Sequence, residues 1–143
     1  MRLRRARLRS GSEEGAAAVE FALVVPLLLT LLFGIIEFGT AYNAQILVTN
    51  AAREAARELS IEDGATKTSA TATANAALAP LGLTVSTSPD PFAISGTKTN
   101  PSSSRACALG QELTVTFQVE RSTLTGLFGP FTLTGKAVRL CAG

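Results

Sequence analysis

The chain has 143 residues, with 13 basic and 11 acidic side chains, two cysteines and no histidine, for a net charge of +2. Once an apolar stretch near the N-terminus is set aside, roughly 100 residues remain, enough for one small domain. The lack of histidine excludes the commonest general base and the commonest metal ligand, and two cysteines without a second pair match no zinc site.

Charge is unevenly placed. Arg2, Arg4, Arg5, Arg7 and Arg9 crowd the N-terminal tip, followed by Glu13 and Glu14. A basic cluster can serve nucleic acid or an anionic lipid surface, but on a short tail beside an apolar span it sets topology, because arginines are retained on the cytoplasmic side. The tail is therefore expected inside, Asn43 onward outside, and nucleic acid is not expected as a partner. Residues 1–15 form a basic cytoplasmic leader, too polar to pack and expected to be disordered or to lie along headgroups.

From Ala16 the chain turns apolar and stays so to Ile36, with no Lys or Arg. A bilayer core of about 30 Å needs about 20 helical residues. The stretch therefore predicts a transmembrane helix in contact with membrane lipid. With Glu37 at the outer boundary, Glu20 falls about 5 Å inside the inner one, an expensive place for a carboxylate and by default a functional one. Pro26 removes a backbone donor, crowds the carbonyl of Ala22 and predicts a kink, with Thr30 placed to satisfy a freed group.

The helical pattern continues past Glu37. Ala41, Ala44, Leu47 or Val48, Ala51, Ala55 and Leu59 recur at spacings of three and four, and Asn50, Arg53, Glu54, Arg57 and Glu58 mark the other face. One transmembrane and stalk helix over 16–60 is expected, with Glu62-Asp63-Gly64 as its end. An extracytoplasmic domain over 61–143 follows. Ala65 to Ala79 predicts a second short helix closed by Pro80. Leu83 to Thr87 alternates as a short strand, Ser88-Pro-Asp-Pro is a turn, Phe92 to Ile94 is a brief strand, and Ser95 to Arg105 is a loop.

Glu112 to Arg121 is the clearest strand, with Leu113, Val115, Phe117 and Val119 on one face. The connection after it carries Leu124, Leu127 and Phe128. Phe131 to Cys141 is a last strand whose apolar phase slips near Gly135, as a bulge would make it. The alanine face of the helix is the nearest cover for the apolar strand face. The fold class is α+β: a long N-terminal transmembrane helix continuing as a stalk, packed on a small antiparallel sheet, with a second short helix.

Cys107 and Cys141 fall on the oxidising side, where a disulfide is favoured over two free thiols. Closing roughly 33 residues would stabilise the sheet by about 3–4 kcal/mol in the chain-entropy model. No catalytic residue, cofactor site or metal site is expected: there is no nucleophile with a base nearby, and Gly126-Leu-Phe-Gly-Pro cannot cradle phosphate. The chain is not expected to be an enzyme.

Gly15-Ala-Ala-Ala-Val-Glu-Phe-Ala-Leu-Val-Val-Pro, the leucine-rich run, Gly-Ile-Ile-Glu-Phe-Gly at 34–39 and Asn50-Ala-Ala-Arg-Glu-Ala-Ala-Arg57 together resemble the TadE-like pseudopilins of the tight-adherence (Tad, or Flp) pilus system. The resemblance covers about the first 57 residues. It implies cleavage by a prepilin peptidase on the cytoplasmic face after Gly15, with Ala16 as the new N-terminus and Glu20 and Phe21 as recognition positions. Phe21 stands where the major pilins of the system carry tyrosine. It further implies a non-catalytic minor pilin or pseudopilin of the cytoplasmic membrane that aids pilus assembly. Its partners would be the peptidase, other pilins and pseudopilins, and the assembly platform.

Glu20 and Pro26 are the candidate assembly positions. The exposed amine of Ala16 is positive, and a neighbouring subunit's Glu20 can neutralise it where either charge alone is costly. Two other roles for Glu20 are peptidase recognition alone and snorkelling to the interface. The alternative function is a single-pass anchored or secreted extracytoplasmic protein of other binding function, with secretory cleavage after Ala41 at Gly39-Thr40-Ala41.

Overall fold

The computed structural model describes residues 11–96, 106–123, 126 and 129–141. Leu124, Leu127, Phe128 and most of the expected 95–105 loop lie outside the described residues. Helix α1 spans Gly11–Ile61 and helix α2 Lys67–Leu78, continued by a 3-10 turn at Ala79–Leu81. Strands β1 (Phe92–Ser95), β2 (Glu112–Arg121) and β3 (Phe131–Leu140) form one antiparallel sheet in the order β1-β2-β3. The architecture is α+β. The chain divides into two compact units, Met1–Ile36 and Glu37–Gly143.

In the first unit α1 is long and apolar enough to cross a membrane. Two expectations change here. Residues 11–15, expected to be disordered or to lie along headgroups, belong to helix α1. The Thr30 hydroxyl donates to the carbonyl of Pro26 itself, at 2.8 Å. It makes the ordinary bond one turn back and does not serve the Ala22 carbonyl that proline leaves without a partner. The helix runs unbroken through Pro26.

In the second unit, Ala44, Val48, Ala51, Ala55 and Leu59 are buried as their spacing requires, and Ala52, Ala56 and Ser60 are buried beside them. The stripe is wider than the sequence suggests because one core joins this helix face to both α2 and the sheet. Ala70, Ala74 and Leu78 of α2 enter that core with Leu113, Val115, Phe117 and Val119 of β2. Helix α2 starts at a capping box, in which the Thr66 hydroxyl accepts from Ser69 N while Ser69 Oγ accepts from Thr66 N. Phe117 is the largest fully buried side chain and meets Phe92 edge to face, with ring centroids 5.8 Å apart. Burial of such a ring stabilises the fold by about 2–3 kcal/mol.

The sheet departs from expectation twice. The β2–β3 register is continuous from Glu112↔Leu140 to Arg121↔Phe131, so no bulge occurs at Gly135. Leu133, Gly135 and Ala137 all face inward and are buried, while Val138 and Leu140 are apolar residues on the outer, exposed face. Those outward apolar residues produced the apparent slip in phase. Glycine is required at 135 because the α1 backbone lies against it. A Cβ there would overlap the Val48 carbonyl oxygen, at 2.7 Å from its carbon and 2.9 Å from Val48 Cγ1.

Leu83 to Thr87 is not a strand. Val85 N donates to the Asn75 side chain at 2.9 Å, so a group that a ladder would use is taken by α2. Only Ser86 N, bonded to Gln118 O at 3.0 Å, reaches β2 in the manner of a strand.

Candidate functional site

The expected processing and assembly residues all lie on α1 in the first unit. Gly15, Ala16, Glu20, Phe21 and Pro26 are helical and exposed. Gly15 to Glu20 is about 7.5 Å along the axis, and Ala16 and Glu20 share a face at i, i+4 spacing. Nothing in the fold requires glycine at 15: its backbone is helical and a Cβ there would meet no atom within 4 Å. None of the most apolar window of the helix is buried. Among the described residues Glu20 has no ion-pair partner.

The second unit begins at a turn with an inverted pattern. Glu37 is only 5% exposed, while Phe38 is 81% and Tyr42 69% exposed. The Thr40 hydroxyl donates to Glu37 O at 2.9 Å. Arg121 Nη1, at the end of β2, donates to Thr40 O at 2.6 Å, and Gln45 Nε2 donates to Thr134 O at 2.8 Å. These two bonds, with the Val48–Gly135 approach, fix the ends of β2 and β3 to the first turns of the unit.

The other end of the sheet holds the cysteines. Cys107 and Cys141 are buried at disulfide distance, with Cα atoms 5.5 Å apart. Gln111 ties the same corner: its Oε1 accepts from Ala108 N at 3.1 Å, its Nε2 donates to Gly96 O at 3.2 Å, and its carbonyl accepts from Cys141 N at 3.0 Å. Sequence patterns gave no sign of Arg121, Gln45 or Gln111, since each acts across a long separation.

Lys67 and Asp90 form an ion pair beside an open cleft between α2 and the segment before β1, lined by Thr71 and Asn75 among others. The hydrogen bond from Lys67, followed by that from Phe92 N, holds the Asp90 carboxyl below its usual value. A depressed carboxyl stabilises the fold above its unfolded pKa and loses that contribution as pH falls through the folded one. Asp90→Asn is therefore expected to lessen the decline in stability below about pH 4, measured by thermal melts across an acid series. The effect is small, because both side chains are about half exposed.

A helix of membrane-crossing length and composition, followed by a small α+β domain, is consistent with a single-pass membrane protein. Residues 15–57 match the model of the family described as TadE-like protein, which places the candidate residues inside a TadE-like segment. The match associates the chain with a tight-adherence pilus system and its pilins in general. No curated protein matches the chain, and no solved structure does.

Proposed function

We propose that the chain is a non-catalytic minor pilin or pseudopilin of a tight-adherence pilus. In this reading it is cut after Gly15 by a prepilin peptidase and sits in the cytoplasmic membrane with its N-terminus inside and its C-terminus outside. The observation that carries the reading is the TadE-like segment, with an exposed glycine at its first position that the fold does not require. A glycine without a packing or conformational reason suits an outside reader such as a peptidase. An acid in an apolar helix with no partner among the described residues suits a neighbour's Ala16 amine in the same way.

Secretory cleavage after Ala41 is the less favoured alternative. It would remove Glu37 and Thr40, which the second unit buries or bonds. Mass spectrometry of the membrane-extracted protein tests the reading. A mature terminus at Ala16 is expected, and an intact Met1 or a terminus at Tyr42 overturns it. Glu20→Gln is expected to leave insertion unchanged and to lower co-purification with other pilus components by about a hundredfold or more, since breaking a buried charge pair costs about 3 kcal/mol at the lower end. Unchanged co-purification would remove Glu20 from the assembly contact.

A further inference from the structure

At the start of the second unit the acid is inside and the rings are outside. A helix turn in water would expose Glu37 and bury Phe38. Here Glu37 is buried, and Phe38 and Tyr42, one turn apart on the same face, are among the most exposed large side chains of the unit. Glu37 is also the only charged residue between Glu20 and Arg53. Its inward placement leaves the outward surface of this turn without charge.

Two further facts identify what lies against that surface. Phe38 and Tyr42 follow the end of the apolar run at Ile36 by two and six residues, about 3 and 9 Å of helical rise. Side chains on a helix lean toward its N-terminus, here the direction of the apolar run. The headgroup layer adds about 5–8 Å beyond each side of the hydrocarbon core, so both rings fall within its reach. Tyrosine suits that layer, with an apolar ring and a hydroxyl that remains wet. Phe131 lies nearby: it pairs with Arg121, whose guanidinium bonds to Thr40 O, and it is itself partly exposed.

We propose that the turn from Glu37 to Tyr42 is a lipid-contact surface, with Phe38 and Tyr42 seated in the headgroup layer of the bilayer and Glu37 withdrawn from it into the domain core. This rests on the reading of the preceding apolar run as membrane-spanning and adds the depth at which the folded domain begins.

The chain has no tryptophan, so a single introduced one is a clean reporter. Full-length Tyr42→Trp is reconstituted in phosphatidylcholine/phosphatidylglycerol vesicles carrying spin labels either at the headgroup or deep in the acyl chain. Phe38→Trp serves as a second reporter, Leu28→Trp as the deep reference and Leu140→Trp, at the far end of β3, as the solvent reference. The expected result is loss of emission at positions 42 and 38 with headgroup labels above that with deep labels, the reverse order at 28, and no loss at 140. Quenching at 28 without quenching at 42 and 38 overturns the proposal while the membrane span stands. No quenching at 28 overturns the span and the proposal with it. Emission at 42 that ignores lipid labels but follows protein-to-lipid ratio assigns the surface to a second copy of the chain and also overturns it.

Discussion

Replacing Gly135 with valine is expected to destabilise the second unit by about 2–3 kcal/mol, the upper part of the range for overpacking a filled core. The collision is with backbone: a Cβ at 135 meets the carbonyl of Val48 before it meets that residue's side chain. Alanine at 135 is therefore expected to cause most of the damage by itself. Val48→Ala should restore little, because it removes Cγ1 and leaves the carbonyl in place. Thermal or denaturant unfolding of the purified full-length protein, followed by circular dichroism, measures all three changes. Unchanged melting in Gly135→Ala would show that α1 does not lie this close to β3.

Loss of the Cys107–Cys141 link is expected to cost about 3–4 kcal/mol, as estimated for closing a loop of this length. The two residues are 34 apart and clamp the segment before β2 to the end of β3. Cys107→Ser should remove the mobility shift on non-reducing gels and lower the unfolding midpoint. Reductant should do the same to the unaltered protein and nothing further to the variant. Alkylation of both thiols in the native protein would show them unlinked. The Gln111 bonds remain in the variant, so the corner should loosen rather than come apart.

Much of the fold is written in short-range pattern. The apolar run, the alanine spacing of α1 and the alternation of β2 each need only a few neighbouring residues to be recognised, and each appears where its period places it. What pattern misses is decided by partners distant in sequence. Leu83 to Thr87 alternates like a strand, yet Asn75 takes the Val85 amide. Gly135 reads as a break in phase, yet it preserves the phase and gives α1 room to approach. Glu37 reads only as the outer boundary of the apolar run, and its burial in the second unit is set by the fold. The expected processing positions rest on the family resemblance, and the fold shows of them only that they lie exposed on a helix.

The contacts between α1 and the sheet also have a mechanical consequence. Thr40, Gln45 and Val48 meet Arg121, Thr134 and Gly135 within about 12 Å of helix length. Separating this stretch of helix from the sheet would require breaking all three of these closely spaced attachments.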